Sequence, residues 1–467
     1  MKKQRKSFSL IQVFILLISC FALPTQAQWQ LLGLPEFSHS IVSGSSFDFE
    51  VYNGTPYVVF TDNTVSNKAT VMKYDGSAWV NVGGQGISTA EAYYPTIAID
   101  ESNGDLFIGF EDYSFNKKTT VMKYNGSTWA YVGNPGFSSS ESRFQRLAVN
   151  NSTPYIVYED SLATLDATCM KYDGSAWVNV GTPGFTAAFT QGGIGQCIMP
   201  RLKFSPLNEL YMAYVDVNNN PYFYNTMVAK FDGTDWNEVG STAFTNAAGN
   251  NQTLDFDAAG NPYTVYLGFD NFKLTCKKFD GSDWNNVGPA GFTPNMGPDP
   301  SIAVHNNTPY VAYRDFSGSS ELTVMYFDST NWVPVGGSIQ VSSGDVHRPL
   351  IRMDGNTIYV TYIDIQNQNT GKLSCMTYNL VLSTEEVQAL NQSFSFSPNP
   401  AKEQLLVQTP IDAEQIAILN MQGQVLKRKF VQSTNSNEIS LEDLPSGVYL
   451  LQVKMKDGFG HQKFVKQ

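Results

Sequence analysis

The sequence predicts an all-β protein that consists largely of one repeated unit. The 467-residue chain has 13% aromatic residues, only 15% charged residues, 37 Gly and 22 Pro. Aromatic residues favour strands, and turns need Gly, Asn and Asp, so this composition fits an all-β chain better than a helical bundle. The second observation is that seven tryptophans recur at a nearly constant spacing.

The chain begins with a predicted export signal, residues 1–27. Basic residues from Lys2 to Lys6 precede an apolar run from Leu10 to Leu23, and Ala27 ends a small-residue cleavage site. This is the layout of a secretory signal peptide. The alternative is a lipoprotein signal, because residues 17–20 (LISC) resemble a lipobox, and both alternatives place the protein outside the cytoplasm.

The repeat is marked by tryptophan and by the turn that precedes it. The tryptophans are 50, 50, 48, 59, 48 and 48 residues apart, each is followed four residues later by Gly, and six follow an Asp-Gly-Ser-like turn that is typical of hairpins. The seven tryptophans are Trp29, Trp79, Trp129, Trp177, Trp236, Trp284 and Trp332.

Each unit is predicted to contain four short strands. In the second unit they cover residues 95–100, 106–111, 119–124 and 129–132. Seven four-stranded units of this period predict a seven-bladed β-propeller over residues 28–382. Because the last unit lacks a fourth strand, we expect the N-terminal strand, Trp29 to Leu32, to complete it and to close the ring.

The Asp-Gly-Ser-x-Trp turn resembles the core of the Asp-box of sialidase-like propellers. It lacks the Ser or Thr that this box carries two residues before the Asp, where Lys73 stands in the first turn. The period and the tryptophan also resemble kelch repeats, although the Gly-Gly doublet of those repeats is missing. Both resemblances imply the architecture and transfer no catalytic site.

The cysteines are predicted to be unpaired. Cys169, Cys276 and Cys375 occupy one third-strand position in units three, five and seven, where other units have Val. Units that are not neighbours cannot bring these thiols within the ~7 Å between Cα atoms that a disulfide requires. Cys197, which precedes a first strand, is expected to be partly exposed.

The last 75 residues are predicted to form a second domain, residues 393–467, after a polar linker at residues 383–392. It contains Ser397-Pro398-Asn399-Pro400-Ala401, a hairpin from Ile416 to Val425 with its turn at Gln422-Gly423, the stretch Leu444 to Val453, and Lys463-Phe464-Val465-Lys466. From the residues alone this is a small domain of alternating strands.

These four motifs resemble, in order, the type A C-terminal sorting domain of the type IX secretion system of Bacteroidota. The resemblance implies an immunoglobulin-like sandwich that directs passage through the outer membrane and is removed by a C-terminal signal peptidase. The partners it implies are therefore the type IX secretion machinery and that peptidase, and the destination is the cell surface or the medium. An adhesive sandwich module is the alternative.

Candidate binding residues lie just before or within the predicted first strands, nearest the mouth of the central channel. Aromatic rings and arginines there are suited to stacking on a glycan and hydrogen bonding an acidic group. A channel-filling role is the alternative. The candidates are Tyr93, Tyr94, Arg143, Arg146, Arg201, His347 and Arg348.

Six of the seven second strands end in Asp, and this position is predicted to be structural, because such an Asp accepts N–H bonds in the following turn. The sequence shows no cofactor or metal motif, no catalytic nucleophile motif and, beyond the leader, no apolar segment long enough to span a membrane. The net charge of −12 argues against nucleic-acid binding.

Three functions stay open at this point. The favoured one is a secreted or surface-displayed propeller that binds an extracellular ligand such as a polysaccharide. The alternatives are a glycan-active hydrolase or lyase on the same frame, and a structural surface or adhesion protein.

Overall fold

The structure is a computed structural model that describes residues 29–163, 165–189, 197–216, 225–240, 244–245, 253–269, 271–317, 320–365, 371–380, 392–410, 413–420, 425–431, 436–455 and 458–467. The predicted signal peptide, positions 383–391 of the predicted linker and the Gln422-Gly423 turn lie outside these residues. In the described part, regular structure is strand apart from four short 3-10 helices, so the predicted all-β class is confirmed. Those helices are Asn63–Val65, Tyr113–Phe115, Phe185–Phe189 and Val335–Gly337.

Seven four-stranded antiparallel sheets follow one another along the chain, and we number them 1 to 7. A short strand, β1 (Gln30–Leu31), precedes sheet 1. Sheets 1 to 3 are β2 (Phe47–Tyr52), β3 (Thr55–Asp62), β4 (Lys68–Tyr74) and β5 (Trp79–Asn81); β6 (Ala92–Ile99), β7 (Leu106–Asp112), β8 (Lys118–Tyr124) and β9 (Trp129–Tyr131); and β10 (Ser142–Asn150), β11 (Thr153–Asp160), β12 (Asp166–Tyr172) and β13 (Trp177–Asn179).

The remaining sheets repeat this order, with consecutive strands paired antiparallel. Sheets 4 to 6 are β14 (Cys197–Phe204), β15 (Leu210–Asp216), β16 (Asn225–Phe231) and β17 (Trp236–Glu238); β18 (Asp255–Phe256), β19 (Pro262–Leu267), β20 (Leu274–Phe279) and β21 (Trp284–Asn286); and β22 (Ser301–His305), β23 (Thr308–Asp315), β24 (Glu321–Phe327) and β25 (Trp332–Pro334). Sheet 7 contains β26 (Val346–Asp354), β27 (Thr357–Asp364) and β28 (Lys372–Asn379).

The N-terminal strand supplies the fourth strand of sheet 7, whose order is β1-β28-β27-β26. Gln30 lies opposite Thr377 and Leu31 opposite Met376, and the Leu32 N–H donates to the Cys375 carbonyl at 2.8 Å. The prediction that this strand joins the strand containing Cys375 is confirmed. The pairing ties the start of the repeat region to its end and covers an edge that would otherwise be open.

The indole of each tryptophan links its sheet to the preceding one. Each Nε1–H donates, at 2.7–3.1 Å, to the carbonyl three residues after the preceding tryptophan. Trp79 of sheet 1 donates to Leu32, which adjoins β1 of sheet 7. Trp29 continues the series, because it donates to Val335 at the end of sheet 6.

The glycine four residues after the tryptophan is required by the same contact in six of the seven repeats, and Gly336 lies against Tyr378 instead. Gly83 has φ +75°, and a Cβ at this position would lie 2.6 Å from Cδ1 of Trp129 in the next sheet. A side chain there would therefore be strained by its backbone and would collide with the indole.

Apolar side chains fill the interface between every sheet and the next. Six buried clusters occupy the interfaces from sheets 1 and 2 through sheets 6 and 7. A seventh joins sheet 7 to sheet 1, with Leu350 and Tyr359 in one cluster with Phe47 and Phe49. The sheets thus pack on one another in a cycle. Burial on both faces explains why the strands have nearly continuous apolar runs.

All four described cysteines are free and buried, as predicted for the three third-strand positions. The expected partial exposure of Cys197 is wrong. It lies within β14 with 1% of its surface exposed and belongs to the cluster between sheets 3 and 4. The first strand of that unit begins earlier than expected, and this places the thiol inside the interface.

Two smaller sheets make up the C-terminal region and share one core. The sheet orders are β29-β30-β33 and β32-β31-β34-β35. Asn399 Oδ1 accepts from the Val465 N–H at 3.0 Å, and Ala401 N–H donates to the Val465 carbonyl, so the first and last predicted motifs are paired. The strands are β29 (Ser395–Ser397), β30 (Gln404–Gln408), β31 (Ala413–Leu419), β32 (Val425–Phe430), β33 (Ser436–Ser440), β34 (Gly447–Met455) and β35 (Gly458–Lys466).

Candidate functional site

The first strands of the seven sheets surround one cavity of about 680 Å³. Residues from or beside the first strand of every sheet line it, from Asp48 in sheet 1 to Arg352 in sheet 7. In the described residues this is where side chains from all seven sheets meet. A ligand bound there would contact side chains of the first strands.

Four of these first strands contain a bulge in which one non-glycine residue has a positive φ. The register shifts between Tyr93 and Thr96 in sheet 2 and at the equivalent positions of sheets 3, 4 and 7. The residues with φ between +48° and +50° are Tyr94, Phe144, Met199 and Arg348. Side chains rarely adopt this conformation, and bulges redirect them, so the predicted candidates cluster at the bulges for a local reason.

The bulge also corrects the predicted start of a strand. In the second unit the strand was expected to begin at Pro95, but β6 begins at Ala92, three residues earlier. Pro95 follows the bulged Tyr94 instead of opening the strand. Tyr93 therefore pairs with Glu111 in the sheet, and Tyr94 is the bulged residue beside it.

Tyr93, Tyr94 and Arg143 lie together on sheets 2 and 3, and they share this position with two glutamates. In the register of each sheet, Tyr93 pairs with Glu111 and Arg143 pairs with Glu159. Arg143 is exposed, whereas each glutamate has 4% of its surface exposed. We call these five residues the mouth group.

Both glutamates of the mouth group favour the protonated form. Burial raises the pKa of Glu111 to about 7, against smaller opposing effects of Lys117 and Arg143. Burial likewise raises the pKa of Glu159 to about 7, although its carboxylate accepts the Met199 N–H at 3.0 Å. Oε2 of Glu111 is buried and has no hydrogen-bond partner. Carboxyls with such pKa values can give or take a proton near neutral pH.

Aromatic rings pack within and beside the mouth group. The Tyr94 and Phe144 ring centroids are 4.4 Å apart, and those of Tyr93 and Tyr113 are 5.0 Å apart. The Tyr93 hydroxyl donates to Glu91 at 3.0 Å, and burial together with this carboxylate raises the pKa of Tyr93 to about 12. Half-buried rings of this kind offer apolar faces on which a sugar ring can stack.

Arg146, Arg201 and Arg348 form a second group, of which Arg146 and Arg201 line the cavity. Arg146 has 4% and Arg348 has 9% of its surface exposed. Burial, with the like charges of Arg146 and Arg348, lowers the pKa of Arg201 well below its ordinary value. Three guanidinium groups are therefore close enough to repel one another in a poorly solvated place.

Asp48 is the carboxylate that faces these arginines. Its Oδ2 accepts from the Thr96 hydroxyl at 2.7 Å and its Oδ1 from the Phe49 N–H at 3.0 Å. Burial alone would raise the pKa of Asp48, but the charges of Arg146, Arg352 and Arg201 outweigh it and keep the pKa below its ordinary value. Asp48 is thus held ionised.

Two other cations of the channel are neutralised locally. Arg352 donates to Glu50 at 2.8 Å, and Lys203 lies 2.6 Å from Asp255. These pairs connect sheet 7 with sheet 1 and sheet 4 with sheet 5. They contribute to the interfaces between sheets.

His347 lies apart from both groups, at the position of sheet 7 that is equivalent to Tyr93 and Arg143. Its surroundings include Arg314, Asp299 and Asp345, and burial with the charge of Arg314 lowers its pKa. Of the seven residues predicted from sequence, Arg146 and Arg201 therefore line the cavity, and the other five lie in or beside the bulges of the first strands.

Glu111, Glu159 and Asp48 were not predicted from the sequence. Glu111 and Glu159 directly precede the Asp that ends the second strand, and five sheets have no acid at this position. That departure from the repeat was the available signal. Asp48 lies between two buried phenylalanines in β2, and an acid in such surroundings is a comparable signal.

The Asp that ends most second strands has the predicted structural role in the described turns. Asp62 accepts from the Thr64 N–H at 3.0 Å, and Asp112 from the Ser114 N–H at 2.9 Å. Among the residues that the structure describes, no three His, Cys, Asp or Glu side chains are grouped to hold a metal ion. No helix in the described ranges is long and apolar enough to cross a bilayer.

Comparison with known families identifies the C-terminal region. Residues 395–467 match the family described as the secretion system C-terminal sorting domain. This confirms the resemblance to a type IX sorting domain, and such a domain implies interaction with the secretion machinery and export to the cell surface or the extracellular space. The match covers the second domain and does not extend to the seven sheets.

Solved structures with a similar fold were found, although a search among curated proteins gave no significant match. Polysaccharide lyase Uly1 is 8% identical with a TM-score of 0.49, covering 73% of this chain and 90% of its own. A Dyadobacter fermentans protein of unknown function is 10% identical with a TM-score of 0.46, covering 76% and 98%. A Penicillium chrysogenum α-L-arabinanase complexed with arabinobiose is 14% identical with a TM-score of 0.40, covering 62% and 93%. Likenesses at this level do not bear on activity.

Proposed function

We propose that the seven sheets are the blades of a closed seven-bladed β-propeller, residues 28–382, in a protein that a Bacteroidota-type bacterium exports. A signal peptide, residues 1–27, a linker, residues 383–392, and an immunoglobulin-like sorting domain, residues 393–467, complete the proposed organisation. The cyclic packing of the sheets and the bond from Trp29 to Val335 support the propeller. The C-terminal peptidase of the type IX system is the proposed processing partner.

The proposed function of the propeller is to bind an extracellular glycan at the channel mouth. The observation that carries this proposal is the mouth group with the neighbouring Phe144 ring. Tyr94 and Phe144 present two rings 4.4 Å apart beside the exposed guanidinium of Arg143. Rings for stacking and a guanidinium for hydroxyl or carboxylate groups are the side chains that saccharide recognition uses. The seven residues selected from sequence are the proposed ligand-binding set.

A glycan array with the purified full chain, followed by titration of the glycans that bind, tests this function. We expect Tyr94→Ala and Arg143→Gln each to weaken binding by about tenfold. Tyr131→Ala is the matched control, because Tyr131 is an aromatic residue on the fourth strand of sheet 2, 38% exposed and outside the channel. Binding to no polysaccharide, or equal affinities for all three variants, would overturn the proposal.

A second candidate, a glycan-active hydrolase or lyase at the same mouth, is favoured by Glu111 and Glu159. Two buried carboxyls with pKa values of about 7 on adjacent sheets are suited to general acid and base roles. Product release from a bound polysaccharide, measured as new reducing ends or unsaturated sugars, tests it. Glu111→Gln and Glu159→Gln should abolish product and keep binding. A glycan that binds and is never cleaved would exclude this candidate.

A further inference from the structure

The channel carries buried guanidinium donors that no protein group satisfies. Nε and Nη2 of Arg146 and Nε of Arg348 are buried without a hydrogen-bond partner. Arg146 makes one hydrogen bond, from Nη1 to the Gln145 carbonyl at 2.6 Å. Buried N–H donors without a partner are rare, because each one loses its hydrogen bonds to water and gains none in return.

The charge of these arginines is also uncompensated. No described carboxylate lies within 4.0 Å of Arg146 or Arg348, in contrast to Arg352 with Glu50 and Lys203 with Asp255. Asp48 provides one negative charge, and its oxygens are already occupied by Thr96 and by main-chain N–H groups. Asp299 adds a second negative charge near Arg348, but not near Arg146. Burying guanidinium groups that make no ion pair is costly unless a counter-ion is bound.

The positions of the arginines also indicate a site instead of a chance accumulation. Arg146 and Arg201 occupy the same position on the neighbouring sheets 3 and 4, directly after the bulge, and both line the 680 Å³ cavity. Arg348 is itself the bulged residue of sheet 7, with φ +48°, and its guanidinium lies 6.0 Å from the Phe47 ring centroid. A bulge therefore includes Arg348 and directly precedes Arg146 and Arg201.

We infer that the channel binds one oxyanion, a carboxylate, sulfate or phosphate group, between Arg146, Arg201 and Arg348. Charge-assisted hydrogen bonds to guanidinium are strong and match the geometry of such groups. The oxyanion is either a free inorganic anion or the acidic group of a saccharide at the mouth. In the second case the inference deepens the proposed function and rests on it.

The test is calorimetric titration of the full chain with sodium sulfate, sodium phosphate, galacturonate and galactose, at an ionic strength held constant with sodium chloride. We expect saturable binding of at least one of the three anions and none of galactose. Binding of galacturonate alone assigns a saccharide source, and binding of sulfate or phosphate alone assigns a free anion. No saturable binding of any anion would overturn the inference.

Variants locate the site and separate it from the glycan site. Arg146→Met and Arg348→Met should each lower the affinity for the anion that binds by about tenfold or more. Arg428→Gln is the charge-matched control on an exposed strand of the sorting domain and should bind as the wild type does. Tyr94→Ala should leave sulfate or phosphate binding intact even if it abolishes glycan binding. Unchanged affinity in both arginine variants would place the anion elsewhere and refute the site.

Arg146→Met should also melt no lower than the wild type in dilute chloride buffer, because it removes a repelled charge. This melting measurement does not depend on a ligand. A lower melting temperature in that buffer would show that Arg146 is satisfied within the protein, and it would count against the inference.

Discussion

The outer and inner edges of the seven sheets differ in how constant their residues are from one repeat to the next. At the outer edge every fourth strand begins or is preceded by tryptophan, and every indole makes the same bond to the preceding sheet. At the inner edge no two first strands have the same side chains, and four of them are bulged. The constant edge stabilises the cycle, and the variable edge gives the channel its chemistry.

The largest expected effect comes from breaking the constant edge where the chain ends meet. Deletion of residues 29–33 removes β1 and the Trp29 indole from sheet 7, and it exposes the edge of β28. We expect the free energy of unfolding to fall by at least about 3 kcal/mol, the cost of removing one packed indole alone. Urea denaturation of the purified proteins measures this.

The variant Trp29→Phe is the control for that deletion. It keeps the strand and most of the ring and loses the Nε1–H bond to Val335, so a loss of about 1 kcal/mol is expected. An unchanged melting transition in the deletion variant would refute the role of β1 in closing the cycle.

A pair of glycines separates backbone strain from the tryptophan contact. Gly83 and Gly76 both have positive φ, but a Cβ at Gly83 would meet Trp129 at 2.6 Å, whereas one at Gly76 has no neighbour within 4 Å. Gly76→Ala should cost about 1 kcal/mol, and Gly83→Ala about 1–3 kcal/mol more. If chemical denaturation gives equal losses of unfolding free energy for the two variants, the indole of Trp129 moves to make room for the methyl group.

At the inner edge, Glu111 is expected to make stability depend on pH. Its carboxyl titrates near 4.5 in the unfolded chain and near 7 in the folded protein, so the folded state binds the proton more tightly. The stability conferred by that proton is therefore lost as the pH rises from about 4.5 to about 7. Relative to wild type, Glu111→Gln should gain about 1–3 kcal/mol between pH 5 and pH 8.

The control for this prediction is Glu101→Gln, because Glu101 is exposed on the turn after the first strand of the same sheet. Its stability difference from wild type should be the same at both pH values. A Glu111→Gln variant with no pH-dependent gain would indicate that water or a cation reaches the carboxylate.

The two edges also differ in how far the sequence predicts them. The outer edge was predictable, because Trp29 and the later tryptophans repeat at a fixed spacing and each marks the same contact. The inner groups were predictable only in part. Arg146 and Arg201 were selected by their position in first strands, but the sequence does not show that they face Arg348 across a channel, since that proximity depends on the cycle.

The bulges were not predictable either, because different residues occupy them. Tyr94, Phe144 and Arg348 share a positive φ but no side-chain property. Glu111 and Glu159 were missed because each precedes an Asp with a repeated structural role, which concealed the residue beside it. The signal in the sequence is that Glu111 and Glu159 are acids at a position where the other five sheets have none.

The smallest expected effect concerns a third-strand position that cysteine occupies in some sheets and valine in others. Cys169 is 1% exposed and occupies the third-strand position that Val121 and Val228 occupy in sheets 2 and 4. Since the neighbouring sheets accept valine there, Cys169→Val should change the free energy of unfolding by no more than about 1 kcal/mol. Burial also raises the pKa of this thiol, so a thiol reagent should modify it only after unfolding. Rapid modification of Cys169 in the native protein would mean that the interface between sheets 3 and 4 opens, and that the constant part of the repeat is less rigid than its uniform bonding indicates.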